Sequence, residues 1–589
     1  MHLKAEHPTK LLLTNLIRLG SLFSILFSSP ASVFAFQFET SEMEGSFDTT
    51  VSIGARFRIQ SPSVNLIDRH NGGAVQNAIN TDDGNRHFEK GLVSAALKFT
   101  HDFELNFRNY GSFIRASYFY DPVVNNKDHL ADKAKERVGH DFDILDAYVF
   151  GYFEPAGKSV ELRFGNQVIN WGESMFISNG VNVINPVDVS RFRVPGAEIR
   201  EALMPTPIIW ASQALTENVS VEGFYILKFR HTEIDPMGSY FSSNDVVSDG
   251  ATHLVAGFGS ANENGDIPGS TTPFPPSAFI ISRNVDVDAK DSGEIGFALR
   301  WFAPEFNETE FGLFAMNYHS RLPVGSFIAG TPGTPPMTAN YFVEYPENIH
   351  MAGVSFNTLL PFGGIALQGE YSYRSNMPLQ LEFTEVAMAS THTRTTGNEV
   401  ASQLGSFSEG DYIQGYRRHK VGQAQMTATK VFSHNNPFKA DSWLLLTEVA
   451  MTKVYNLPAK SELRFEAAGT NLPARNDVAV DGVLIPQQDN GWADAFSWGY
   501  RFMTRTSYNN VFRSVNLSPR VFFAHDVRGT TPGPGGNFIE DRKALTLAME
   551  ISYLQSWTFD TSITRFFGAE GHNAIADRDF IAMNIKYGL

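Results

Sequence analysis

The chain has 589 residues, with 47 Lys and Arg against 63 Asp and Glu, a formal net charge of −16 and no cysteine. An acidic chain without a basic tract is a poor partner for nucleic acid, and no disulfide can staple its fold. The length would suggest several soluble domains, yet no linker-like boundary interrupts a strand pattern running from residue 48 to the end, so one large domain is expected.

A leader comes first. Lys4, Lys10 and Arg18 form a basic end, residues 19–27 an apolar core, and Val33-Phe34-Ala35 a cleavage site, which reads as a secretory signal peptide cut after Ala35. From there apolar and polar residues alternate. In 48–59, Val51, Ile53, Ala55, Phe57 and Ile59 share one face, and Ser52, Arg56 and Arg58 the other. Similar runs follow at 91–100, 113–120, 144–153, 160–167 and 219–230, where Phe224 and Ile226 break the rhythm. The pattern resumes at 294–302, 310–318, 351–360, 365–374, 421–431, 442–451, 493–505, 518–525, 544–553 and 557–567. In the last strand Ile581, Met583, Ile585, Tyr587 and Leu589 alternate to the final residue, as in the carboxy-terminal signal read by barrel-insertion machinery.

Short turns such as 360–364 alternate with long polar or Pro/Gly-rich connections, and 49 Phe, 19 Tyr and 7 Trp gather near strand ends. These are the habits of an outer-membrane barrel with aromatic girdles facing lipid and lipopolysaccharide. In hydrocarbon every backbone N–H and C=O needs an internal partner, so strands can cross only as a closed ring. The expected fold is all-β: a transmembrane antiparallel β-barrel of about 16 strands, with roughly 14 to 18 as the range of alternatives.

One stretch does not alternate. Segment 165–205 gathers Trp171, Glu173, Asp188, Arg191, Arg193, Glu198, Arg200 and Glu201, with bends at Asn179-Gly180 and Pro195-Gly196. Asn185-Pro186 reads as an N-cap and first-turn proline, and 197–203 as one or two further helical turns. A charged, partly helical insert in an all-strand chain is expected inside the barrel as a plug or constriction; an ordered outside loop is the alternative. Its charges would pair with polar wall residues such as Glu222, Glu370, Arg374 and Arg501, and Arg191 and Arg193 are expected to pin it to acidic wall residues such as Glu222 or Glu370.

Two connections, 267–281 and 324–345, are unusually apolar. Phe274, Phe279, Phe327, Met337, Tyr341 and Phe342 are expected to form a capture surface for a hydrophobic solute, or else to pack on each other as a lid or touch lipopolysaccharide or a partner. Catalysis is not expected. His319-Ser320 and His525-Asp526 suggest hydrolase fragments, but neighbours on a strand point to opposite faces and no G-x-S-x-G elbow is present. Histidines lack metal-ligand spacing, and no cofactor is expected.

The runs GSFDTTVSIGA, FGNQVINWGES, GVNVINPVDVS, PGAEIREAL, AMNYHSRLP, GEYSYRSNMPLQL and VGQAQMTATKVF resemble a family of proteobacterial outer-membrane β-barrels catalogued as a domain of unknown function and compared with long-chain fatty-acid (FadL-type) transporters. The resemblance covers nearly all of the chain after its leader. Many such relatives carry a cysteine where this chain has Met237. The resemblance implies a periplasmic lipoprotein-like partner and a role in moving a lipid-like compound. The function expected is therefore a passive outer-membrane channel for hydrophobic or amphipathic small molecules, gated by the insert. A general porin for polar solutes and an assembly partner of a periplasmic lipid-handling system are the alternatives.

Overall fold

The computed structural model describes residues 36–332 and 337–589; the expected signal peptide, 1–35, lies outside them, as do 333–336 of the second apolar loop. Nineteen strands share one sheet, but Phe36–Glu39 pairs only with the strand after it, which leaves 18 in the ring. These are Met43–Arg58 (β1), Gly91–Phe107 (β2), Tyr110–Tyr120 (β3), His140–Phe153 (β4), Val160–Gln167 (β5) and Thr206–Ala214 (β6). Then come Val219–Ile226 (β7), Ile295–Ala303 (β8), Thr309–Tyr318 (β9), Ile349–Leu359 (β10), Ile365–Gln380 (β11) and Tyr416–Phe432 (β12). Ser442–Tyr455 (β13), Phe496–Phe512 (β14), Val515–Arg528 (β15), Lys543–Tyr553 (β16), Trp557–Phe567 (β17) and Phe580–Gly588 (β18) complete it. Each pairs antiparallel with its neighbours, and β1 meets β18 from Thr50 opposite Gly588 to Arg58 opposite Phe580. The ring is closed.

The count corrects the expected figure of about 16 upward within its range. Alternation does not reveal β6, because both of its faces are apolar. Ile209 points outward beside Phe164 and Tyr225, whereas Ile208 and Trp210 point inward opposite Ile226 and Phe224. The two breaks in the rhythm of β7 have the same origin, since Phe224 and Ile226 pack inside the ring.

The exterior is apolar. On β8, Ile295, Phe297, Leu299 and Trp301 share the outer face, and Phe297 is 61% exposed. Such a band is penalised by water and not by acyl chains, and a closed ring leaves no unpaired sheet edge. Turns are short at one end, as at Arg108-Asn109 and Arg513-Ser514, and connections are long at the other.

The long connections fold into a cap. Tyr412–Ile413, Val324–Ile328, Asn340–Glu344, Ile280–Arg283 and His253–Val255 form a second sheet in that order. The helix Phe383–Ser390 lies against it, with Phe383 and Phe327 rings 5.1 Å apart. Leu254, Ile281, Phe327, Tyr341, Leu381 and Val386 make the core of this cap.

Candidate functional site

The chain leaves the wall at Gln167 and returns at Thr206, its register partner, so 168–205 belongs to the long-connection end. Asn185 closes the neck, accepting from Ile169 N at 2.8 Å and donating to Gln167 O and Met204 O at 3.1 and 3.0 Å. That role displaces the expected helix start. Asp188 is the N-cap of Val189–Phe192 instead, its side chain accepting Arg191 N–H at 2.8 Å. A second short helix, Ile199–Ala202, follows the Pro195-Gly196 turn.

Two carboxylates of the wall grip the first half of the segment by its backbone. Glu370 on β11 accepts N–H groups of Glu173 at 2.5 Å and Val181 at 2.8 Å. Glu448 on β13 accepts those of Met175, Phe176 and Ile177 at 3.0, 2.7 and 3.0 Å. Arg374 donates to Gly180 O at 2.7 Å and Gln423 to Ser178 O at 2.6 Å. The approach is close enough to require glycine: a Cβ on Gly180 would lie 1.8 Å from Glu370 Oε1.

The second half is held by the opposite wall. Glu201 accepts from Lys98 Nζ at 2.5 Å and Thr100 Oγ1 at 3.2 Å, and Lys98 also reaches Gly196 O at 2.9 Å. Lys586 on β18 donates to Glu198 at 2.9 Å. Gly196, at φ 81°, sits where a Cβ would be 2.3 Å from Asn584 Oδ1. A segment that touches β1, β2, β7, β11, β13 and β18 can do so only from within the cylinder.

Trp171 is fully buried. It donates to Glu222 at 2.8 Å and packs on Phe224 and Phe314 at 5.0 and 5.8 Å between centroids. With Val181, Ile184, Ile208 and Met351 it forms an apolar core inside β6–β10, so there the wall is not polar within. The rest of the lumen differs. Across β14–β17 a ladder of Arg505, Glu550, Arg520 and Asp560 runs at 2.9, 3.4 and 2.6 Å, its side chains half-exposed.

The expected pins of Arg191 and Arg193 to Glu222 or Glu370 are not formed. Glu222 is taken by Trp171 and by Arg300 at 2.7 Å, and Glu370 by backbone. Arg191 pairs with Asp141 on β4, and Arg193 lies 3.5 Å from Asp235 and over the Phe241 ring. Arg200 pairs with Glu198 and Asp102 at 2.7 and 3.5 Å. Arg501 does not reach the segment; it pairs with Asp526 at 2.8 Å. His319 and Ser320 do not meet either: the ring bonds Ser292 O and the hydroxyl Leu322 O. Glu448 is the anchor that sequence reasoning missed. Its signal was a lone carboxylate at an inward register of β13, between Leu446 and Ala450.

The six capture-loop residues do not form one exposed surface. Phe327 and Tyr341 are sealed in the cap core, and Phe342 stacks on Tyr412. Phe274, Phe279 and Met337 line a cavity of about 810 Å³ together with Leu254, Ile281 and Phe383. Loop 529–542 lines it too, and is bonded to the insert: Asn537 donates to Ser178 O at 2.9 Å and Asn179 to Gly535 O at 3.0 Å.

One carboxyl on this cavity titrates near neutrality. Removal from water pushes Glu466 up to about 7, against the pull of its hydrogen bond from Phe383 N. Its folded value thus exceeds the unfolded one, about 4.3. The stability it contributes is complete below that value and is lost as pH rises through 7. Proteolysis of the cap in detergent is expected to be faster at pH 8 than at pH 5, and Glu466→Gln to flatten that difference. A slope unchanged in the variant would exclude Glu466 as its source.

Among solved structures the chain is similar to Acinetobacter baumannii OccAB1, at 10% identity and TM-score 0.38 over 92% of this chain and 96% of that one. Pseudomonas aeruginosa OccK2 (OpdF) in complex with glucuronate aligns at 9% and 0.39 over 92% and 98%, and a BenF-like porin from Pseudomonas fluorescens Pf-5 likewise at 9% and 0.39 over 92% and 98%. Likeness at these scores assigns no residue a role and no solute. No curated protein matches the sequence. The model of one family, described as a protein of unknown function (DUF1302), matches residues 16–589, the whole of the barrel and insert just described, and the chain belongs to that family.

Proposed function

We propose that the protein is a passive outer-membrane channel for amphipathic small molecules with a substantial hydrophobic part, and that segment 168–205 constricts it. The observation carrying this reading is the cavity beneath the cap, with Phe274, Phe279, Met337 and Phe383 on its wall and a loop bonded to the insert as its base. A hydrophobic moiety entering it loses contact with water, which favours capture. Release of the insert would then open the descent along the charged ladder of β14–β17. The membrane assignment rests on the closed ring and its apolar exterior. At the short-turn end a periplasmic lipoprotein-like partner would receive or deliver the solute.

The test is uptake of a long-chain fatty acid, or of an aromatic amphiphile, by proteoliposomes. Ala387 lies on the cavity wall, so Ala387→Trp narrows the cavity. Uptake is expected to fall about tenfold, equivalent to about 1.4 kcal/mol of lost binding, with ion conductance unchanged. Equal uptake by both proteins would defeat the capture reading. The second reading, a porin for polar solutes, draws on the half-exposed ladder of Arg505, Glu550, Arg520 and Asp560. Steady ion conductance by the wild-type protein, with no uptake of either amphiphile, would favour it.

A further inference from the structure

A group of buried carboxylates lies where connection 59–90 meets connection 227–294. Asp82, Asp83 and Asp245 each direct a carboxylate oxygen to within 4.8 Å of the others, and all three are buried. Asp68 adds a fourth buried carboxylate, whose own N–H donates to Asp82 at 2.8 Å. Compensation is thin. Arg86 pairs with Asp83 at 2.6 Å and Glu263 at 3.1 Å, and stands 3.9 Å from Asp82. Arg578, whose charge also reaches Asp245, directs its Nη1 to Tyr240 O and Ser242 O at 2.8 and 2.6 Å.

Hydrogen bonds do not use up these oxygens. Asp245 Oδ2 accepts Asp83 N–H at 3.1 Å, but Asp245 Oδ1 has no partner although the residue is only 4% exposed. The hydroxyl of Ser239, also 4% exposed, is unpartnered as well. The Ser239 and Ser242 carbonyl oxygens crowd Gly84, within 2.5 and 2.4 Å of where its Cβ would be. The oxygens placed near this point are thus carboxylates and carbonyls, the set that a hard divalent cation selects and a soft one does not.

We propose that Asp82, Asp83 and Asp245 bind one calcium ion, which ties connection 59–90 to connection 227–294. Calcium takes roughly 6–8 oxygens in a flexible shell, so neighbouring carbonyls and water can complete it, whereas magnesium demands a tighter octahedron. The consequence reaches the cavity. Asn77, Ala78, Asn80 and Thr81 precede the cluster on one connection and Val246 follows it on the other, and all five line the cavity wall.

The experiment uses the full chain in detergent, stripped with EDTA and titrated with calcium chloride alone. Equilibrium dialysis is expected to give the wild-type protein one more bound calcium per chain than Asp245→Asn. Protease cleavage within 59–90 is expected to slow about tenfold when calcium stands about tenfold above its Kd, and the variant to show no such response. The variant should also resist protease better than stripped wild type, since it removes one of the repelling charges. Equal calcium in both proteins, with the variant barrel folded by its heat-modifiable gel mobility, would overturn the assignment. Should the variant not fold, the wild-type protein decides alone: saturable protection by calcium supports the site, and its absence refutes it.

Discussion

Exchanging Glu370 and Glu448 together for glutamine is expected to convert a poorly conducting barrel into one with frequent large openings in planar bilayers. The two carboxylates accept five backbone N–H groups of residues 173–181. A hydrogen bond to an ionised group contributes about 1.5–3 kcal/mol, roughly twice a neutral one. Glutamine keeps the volume but removes the charge, and its amide NH2 faces donors it cannot satisfy. If the exchange weakens the grip by about 3 kcal/mol in all, the released fraction rises by about two orders of magnitude. The strands themselves lose no ladder bond, so the barrel should keep its heat-modifiable mobility. Wild-type conductance from a folded double variant would mean that the segment does not limit the path.

The second large effect is expected at Lys98. Its ammonium and Glu201 are almost wholly enclosed, 5% and 3% exposed at the side chain. Lys98→Met leaves Glu201 charged and enclosed with only the Thr100 hydroxyl and the Glu198 N–H to bond it, a loss of about 3–5 kcal/mol for a buried pair broken on one side. The half of the insert containing Pro195-Gly196 and Ile199–Ala202 should then leave the wall formed by β1, β2 and β18. Trypsin is the direct probe, because Arg193 precedes that stretch and Arg200 lies within it. Cleavage there is expected to become fast in Lys98→Met, and to slow again when Glu201→Gln is added, since the orphaned charge is gone. Equal protection in all three proteins would show that the pair is incidental to the segment's position.

These two anchors also mark how far local reading could go. The place of Glu370 in the charged interior was legible, because inward positions on a strand recur every second residue and polar residues there are visible in any one strand, and Glu201 was legible as a charge of the stretch that does not alternate. Their partners were not. Glu370 bonds Val181, 189 residues away, and Lys586 bonds Glu198 across 388. Arg191 illustrates the resulting error: its charge suggested an acidic wall residue, and it found one in Asp141 on β4 and not in Glu222 or Glu370. The apolar loops misled for a related reason. Phe327 and Tyr341 read as exposed when taken with their neighbours alone, yet the cap sheet assembles strands from three separate connections and encloses them.

What the amino-acid order determined by itself was the barrel: period-two alternation to the last residue and an apolar outer face leave a chain in hydrocarbon no other way to pair its backbone. Tertiary structure alone decided the rest. It set the ring at 18 by admitting β6, whose two faces are both apolar because one meets lipid and the other the insert. It also drew the clamps of Glu370 and Glu448, the cap over its cavity and the three-aspartate cluster from segments far apart in the chain. Alternation is a property of neighbours and survives in the sequence; who faces whom across a closed ring depends on where every strand lies.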